Sequence, residues 1–309
     1  MARWTTADIP DQTDRTVLIT GANSGLGLRS AEALAGAGAR VLMACRNAQK
    51  AAEARTSVAA AATGPEPEVV ALDLSDLASV EACADKLSGE LHHIDVLMNN
   101  AGVMAVPLSR TPQGFEMQLG TNHLGHFALT GRLLPLLRQA PAARVISISS
   151  FGHKPGRIRW DDPNWESGRY HAWPAYFQTK LANLLFTAEL ERQARDAGSR
   201  VLAAAAHPGY AATNLSASGP GSTSSFMHWG AELTDKLLGQ PDHKGALPQI
   251  YAATMLDVAG NDYWGPDGFL EQRGYPEKVG RTRRASDADA ARRLWELSED
   301  LTGVTYDWG

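Results

Sequence analysis

The chain predicts an α/β fold: a single doubly wound parallel sheet with helices on both faces and a lid insertion at about 211–241. Three observations carry that prediction. Short apolar runs alternate with stretches of helical period from Thr16 to Gly209, the pattern of parallel strands joined by crossover helices. The first run ends in a glycine-rich turn that opens directly into a helix. No repeat, long low-complexity tract or domain linker interrupts the 309 residues, which predicts one domain over 1–309.

Thr16-Val17-Leu18-Ile19-Thr20 is the first strand, and Gly21-Ala22-Asn23-Ser24-Gly25-Leu26-Gly27 is its turn. Glycines let the backbone approach a pyrophosphate, and the free N–H groups of the helix that follows face the phosphates. The usual G-x-G-x-x-G spacing fails, because its third glycine position, counted from Gly25, is Ser30. What stands there is T-G-x-x-x-G-x-G. The second strand, Ala39 to Cys45, should end at the adenosine ribose of a dinucleotide laid across the first turn. Cys45 and Arg46 follow in place of a carboxylate, and a guanidinium suits a 2′-phosphate, so the cofactor read here is NADP(H).

A helix over Asn47–Ala62 leads to the strand Val69–Leu72, ended by Asp73. Asp73 or Ser75 is suited to cap the helix that begins at Asp76. The fourth strand, Ile94 to Met98, runs into Asn99-Asn100-Ala101-Gly102, a tight turn suited to lie against a flat ligand. Phe115 to Leu137 reads as one long helix carrying Asn122, His123 and His126, with Pro135 near its end as a kink or stop. The two histidines have the spacing of a metal pair but no further ligands nearby, so no metal site is expected. Arg144 to Ser150 is the fifth strand, ending in two serines.

Tyr176 and Lys180 stand four residues apart, one turn above each other on one face of the next helix. A nearby ammonium favours the phenolate and draws the tyrosine toward neutral pH, where proton transfer is efficient. Arg200 to Ala206 is the sixth strand, ending in His207-Pro208-Gly209-Tyr210, with Thr213 beyond. The stretch 211–241 mixes Ser, Gly and Pro with Phe226, Met227 and Trp229, suiting a lid that orders over substrate. Leu247–Leu256 reads as helix, Tyr263–Phe269 as a last strand with its turn, and Ser286 as the cap of a final helix that stops at Gly303.

The net charge of −5 leaves no footprint for nucleic acid or an anionic membrane. Cys45 and Cys83 read as free thiols. The polar start with Asp8, Asp11 and Asp14 lacks the pattern of a signal peptide, and no apolar run approaches the roughly 20 residues that span a bilayer. A soluble cytoplasmic protein is expected.

Taken together, residues 16–213 resemble the short-chain dehydrogenase/reductase family, whose sheet is of the Rossmann type. The Ala-Cys-Arg-Asn ending of the second strand, the Lys180-Leu181-Ala182-Asn183 continuation and the 26 positions between Ser150 and Tyr176 look like its retinol-dehydrogenase-like branch, with a likeness to protochlorophyllide reductases as well. The resemblance implies that Ser150, rather than Ser149, orients the substrate oxygen and that Tyr176 exchanges its proton. Lys180 would hold the nicotinamide ribose, and the Asn122 carbonyl would reach Lys180 through water. It further implies cofactor contacts from Gly21, Asn23, Ser24, Gly25, Leu26, Gly27 and Arg46, and from Asp73 with Leu74 at the adenine. Asn100, Ala101, Gly102, Tyr176, Lys180, Pro208, Gly209 and Thr213 complete that set. Homodimers or homotetramers are common in the family.

The implied activity is hydride transfer between NADP(H) and a ketone or aldehyde, or the matching alcohol, of apolar character. Two alternatives stay open. One is reduction of a carbon–carbon double bond, disfavoured because no cysteine follows Cys83; the other is a non-catalytic NADP sensor, disfavoured because serine, tyrosine, lysine and asparagine are all present. The aromatics between Ser150 and Tyr176, Phe151, Trp160, Trp165, Tyr170 and Trp173, either line an apolar pocket or close a surface flap.

Overall fold

A computed structural model describes residues 3–209 and 241–309. Among the described residues eight strands form one sheet: β1 (Thr16–Thr20), β2 (Arg40–Cys45), β3 (Glu68–Ala71), β4 (Val96–Asn99), β5 (Arg144–Ile148), β6 (Leu202–Ala206), β7 (Tyr263–Pro266) and β8 (Pro276–Lys278). Their order is β3-β2-β1-β4-β5-β6-β7-β8. All neighbours pair in parallel except β7 with β8. The antiparallel β8 edge lies beyond the strands expected from sequence, because three residues with two charges carry too little apolar pattern to announce a strand.

Side chains alternate across the sheet, and each face has its own core. Val17, Ile19, Val41 and Met43 pack with α1 (Gly25–Gly36), α2 (Ala48–Ala61) and Ile250 and Ala253 from a later helix. Leu18, Leu42 and Leu97 pack on the other face with α3 (Leu77–Glu90), α4 (Gly125–Arg132), α5 (Leu134–Gln139) and residues of α6 (Ala172–Asp196). Burial on both faces is why these strands read as unbroken apolar runs. The later elements are α7 (Leu247–Thr254) and α8 (Ala288–Thr302). Among the described residues no helix is long and apolar enough to cross a membrane.

Four boundaries differ from expectation. The stretch read as one helix over 115–137 is split into a turn at Met117–Leu119, a wide π turn at Gly120–Leu124, and α4, and it stops at Arg132. Pro135 opens α5 in place of ending the preceding helix, since its missing N–H is not needed in a first turn. Asp287 caps α8, with Oδ1 accepting from Asp289 and Ala290, while Ser286 lies in a preceding 3-10 turn. Likewise Asp76 caps α3, leaving Asp73 and Ser75 to bond with each other.

Candidate active site

The strand order turns back between β1 and β4, so the loops leaving their C-terminal ends diverge and open a crevice. The glycine turn after β1 and the Asn100-Ala101-Gly102 turn after β4 meet there. Thr20 joins them. Its Oγ1 accepts from the N–H groups of Asn100 and Ala101, both at 2.9 Å, and Asn100 Nδ2 donates back to the Thr20 carbonyl at 2.7 Å. A Cβ on Gly27 would lie 2.4 Å from the Gly21 oxygen and 2.5 Å from Asn100 Nδ2, so only glycine lets the two turns close up.

The start of α1 is a cradle. A Cβ built on Gly25 meets nothing within 4 Å, and Ser24 precedes the helix without a capping bond from its side chain. Open space before uncapped N–H groups at the positive end of a 12-residue helix fits a pyrophosphate. Asn23, Ser24 and Leu26 line this turn, partly or fully exposed. At the end of β2, Arg46 is 70% exposed, with Nη1 3.8 Å from Asp73 Oδ2. Asp73 Oδ1 is engaged by Ser75, and Leu74 is buried, with its carbonyl against Gly125.

Sequence reasoning missed two supports of this cradle. Gln249, on α7, donates from Nε2 to Ser30 Oγ at 2.8 Å and to Asn100 Oδ1 at 3.1 Å. Ser30 is the residue that broke the usual glycine spacing, and a polar group on the inner face of α1 was the available signal. Its partner, 219 positions away, had none. The second is His126. Thr20 Oγ1 already accepts twice, so its O–H donates, and His126 Nε2 lies 2.9 Å away. That assignment puts the ring proton on Nδ1, 3.1 Å from the Asn122 carbonyl. His123 instead meets Ser298 Oγ at 2.8 Å. Burial holds both histidines neutral, down to about 3 for His123 and about 4 for His126, and no metal cluster occurs among the described residues.

The catalytic candidates come from β5, the π turn and α6. Helix α6 begins four residues before Tyr176, with Pro174 in its first turn, and it presents Tyr176 and Lys180 on one face. Ser150 follows β5 and caps a short 3-10 turn, its Oγ accepting from Gly152 N–H at 2.9 Å. The Ser150 hydroxyl and the Tyr176 ring are neighbours across Gly152, where a Cβ would lie 2.9 Å from Ser150 Oγ and 3.3 Å from Tyr176 Cε1. Ser149 points elsewhere, with Oγ donating to the Lys180 carbonyl at 2.8 Å. Lys180 Nζ donates to the Ile148 carbonyl at 3.1 Å and lies 5.6 Å from the centre of the Tyr176 ring.

The electrostatics of the pair differ from expectation. Burial pushes the Tyr176 phenol up, Ser150 draws it partly back, and Lys180 does not offset the burial. Burial also lowers the Lys180 ammonium to about 8, which weakens the cation meant to stabilise a phenolate. In the protein alone the tyrosine is therefore a neutral donor, suited to giving a proton to an oxygen.

Asn122 sits in the wide turn, where Gly125 N–H reaches back to the Gly120 carbonyl. Its side chain accepts from Val103 N–H at 2.8 Å and donates to Thr179 Oγ1 at 3.0 Å. Its carbonyl accepts from His126 Nδ1 at 3.1 Å. Gly102 passes between Asn122 and Lys180, since a Cβ there would be 3.1 Å from Asn122 Oδ1 and 3.8 Å from Lys180 Nζ. Pro208 and Gly209 follow β6; Thr213 and the lid expected at 211–241 lie, but for Pro241, outside the described residues.

The aromatics before Tyr176 divide into two groups. Trp165 is buried, stacked under Arg159, and the Tyr170 hydroxyl donates to Glu116 Oε1 at 2.9 Å. Trp160 packs under Arg293. These three fasten the insertion. Trp173, 51% exposed and 6.2 Å from the Tyr176 ring, and Phe151, next to Ser150, stand at the site itself.

Residues 15–220 match the family model described as short chain dehydrogenase. Human retinol dehydrogenase 13 is 38% identical over 293 residues, covering 94% of this chain and 85% of that protein. An uncharacterised protein of solved structure from Mycobacterium paratuberculosis is 46% identical, with 99% of this chain and 100% of that one covered and a TM-score of 0.82. A short chain dehydrogenase from Escherichia coli CFT073, solved in complex with NADPH, is 25% identical, covering 70% of this chain and 85% of that one, with a TM-score of 0.56.

Proposed function

The chain belongs to the short-chain dehydrogenase/reductase family, in its retinol-dehydrogenase-like part, and within that family of oxidoreductases we propose an NADP(H)-dependent enzyme acting on an apolar aldehyde or ketone, or the matching alcohol. The observation that carries this reading is the convergence of the Ser150 hydroxyl, the Tyr176 phenol and the Lys180 ammonium on one buried face beside the cradle at the sheet's crevice.

The cradle residues would hold the cofactor: the start of α1 its pyrophosphate, Arg46 its 2′-phosphate, Asp73 with Leu74 its adenine, and Lys180 its nicotinamide ribose. When bound, the reduced cofactor supplies a hydride to a carbonyl carbon, and the oxidised form takes one from an alcohol carbon. Ser150 donates a hydrogen bond to the substrate oxygen and fixes its place. Tyr176 gives its proton to that oxygen in reduction and takes it back in oxidation. The Asn122 carbonyl would meet the water that returns that proton from solvent. NADP preference is supported by Arg46, exposed where a carboxylate would select NAD, and by the NADPH held in the Escherichia coli relative. Apolar substrates are supported by Trp173 and Phe151 at the site and by the retinol dehydrogenases among the relatives.

The test is oxidation of NADPH, and separately of NADH, by purified protein across a panel of apolar aldehydes and ketones, followed by absorbance. Turnover with NADPH exceeding that with NADH by about tenfold or more is expected for a guanidinium–phosphate contact. Tight NADPH binding with no turnover of any carbonyl compound would overturn the activity. Equal use of both cofactors would overturn the role of Arg46.

A further inference from the structure

Beside Phe151, the residue after Ser150, three loops converge on one carboxylate. Glu271 Oε2 lies 3.2 Å from His207 Nε2, and Glu271 Oε1 lies 3.5 Å from Lys154 Nζ. His207 belongs to the His207-Pro208-Gly209 turn after β6, Lys154 to the turn that follows Ser150, and Glu271 to a loop after β7. The histidine is almost fully buried, and its Nδ1 accepts from Gly209 N–H at 3.2 Å, which leaves the ring proton on Nε2, toward Glu271. The two atoms face each other as an ion-pair contact, and neither has a hydrogen-bond partner among the described residues. Burial favours the neutral ring, while Glu271 is held in its charged form chiefly by His207.

The loop carrying Glu271 is under tension that the pairing answers. Leu270 and Glu271 are consecutive non-glycine residues in the left-handed region, with φ of 51° and 57°. The loop is closed at its base by Asp267 N–H to the Tyr275 carbonyl, 2.8 Å, and by Tyr275 N–H to Asp267 Oδ1, 2.8 Å. Its tip presents Phe269 and Leu270, 84% and 62% exposed. Neighbouring glycines make the fit close. A Cβ on Gly265 would meet His207 Nε2 at 2.1 Å, and one on Gly209 would meet the Gln272 carbonyl oxygen at 2.4 Å. The same cluster reaches the substrate side: Phe151, adjacent to Ser150, lies edge-on to His207 at 5.0 Å and under Lys154 at 4.6 Å.

We propose that Glu271 is a positioning residue for substrate binding: by pairing with His207 and Lys154 at once, it clamps the apolar-tipped loop against the turns after β6 and Ser150, so that Phe269 and Leu270 form one side of the mouth. The proposal rests on the reading of an apolar carbonyl or alcohol substrate given above. Glu271 touches neither the phenol nor the cradle, so its loss separates substrate affinity from chemistry.

The test compares wild type with E271A, E271Q and K154M by amide hydrogen exchange of residues 267–275 and Gly209, and by steady-state kinetics with whichever apolar carbonyl is turned over. E271A should speed exchange at Glu271, Gln272 and Gly209 and raise substrate KM, each by about tenfold, with kcat at saturating NADPH within about threefold of wild type. E271Q, which keeps an oxygen for His207 but loses the charge facing Lys154, should fall between, near K154M. Unchanged exchange in E271A overturns the clamp whether or not any substrate is found. Faster exchange with an unmoved KM overturns its role in substrate binding. Wild-type protein without turnover contradicts the activity reading, and the exchange data still decide the clamp.

Discussion

The cradle and the catalytic cluster sit side by side, yet they are built on opposite terms. Behind the open N–H groups of the cradle, the supporting polar groups have partners inside the protein: Thr20, Asn100, Ser30, Gln249 and His126 satisfy one another across five segments of the chain. In the cluster, Tyr176 and Lys180 are buried at a cost, the phenol pushed up and the ammonium pushed down to about 8. The lesson is that the cofactor side is preorganised by satisfied hydrogen bonds, and the chemical side holds groups whose burial is repaid only when ligands arrive.

The largest break in that contrast should come from Gly27→Ala. The new methyl would press on the Gly21 carbonyl and Asn100 Nδ2, parting the two turns. We predict about 100-fold weaker NADPH binding and a loss of roughly 1–3 kcal/mol in stability, read by cofactor fluorescence and urea unfolding. Binding within threefold of wild type would show that the turns need not touch.

Lys180→Met tests the other side, with the opposite sign on stability. A lysine held at about 8 in the fold against 10.5 unfolded costs about 3 kcal/mol at neutral pH. The cost is complete below pH 8 and fades as pH rises from about 8 to 10.5, where only the unfolded chain still holds the proton. The cofactor-free variant should therefore be more stable than wild type at pH 7, lose the rise in stability across that window, and be inactive. A variant less stable than wild type at pH 7 would show that the ammonium is stabilised by more than the Ile148 carbonyl.

Gln249→Leu removes the donor shared by Ser30 and Asn100. It should cost about 1–3 kcal/mol and weaken NADPH severalfold without altering the pH dependence of turnover. A shifted pH profile would place Gln249 in the chemistry. A pH-dependent effect, absent at neutral pH, belongs to the histidines behind the site. His123 and His126 are held neutral by burial, so the unfolded chain binds protons that the fold cannot accept as pH falls from 6.5 toward 4. Stability should drop through that window, and His123→Gln should make the drop shallower in acid denaturation followed by circular dichroism.

The difference between the two regions also explains what the sequence could announce. Strands buried on both faces and turns with fixed glycine spacing are local signals, so the sheet, the T-G-x-x-x-G-x-G turn and the Tyr176–Lys180 pair were legible residue by residue. The supports were not. Gln249 reaches Ser30 from another helix, and Glu271 meets Lys154 and His207 from loops far apart in the chain, so their meaning exists only after folding. The split of the 115–137 helix escaped for a similar reason: a π turn keeps helical spacing of apolar residues while shifting its hydrogen bonds. The tyrosine's acidity was misjudged because spacing places a lysine nearby but says nothing about how deeply both groups are buried.

The most direct measurement is of Tyr176→Phe, with kcat for an apolar carbonyl substrate and the NADPH dissociation constant determined on the same preparation. If the cluster does the proton chemistry and the cradle does the binding, kcat should fall by roughly 100-fold or more while NADPH affinity stays within about twofold. Turnover near the wild-type value would remove Tyr176 from the chemistry, and a parallel loss of NADPH binding would contradict the division of labour between the two regions.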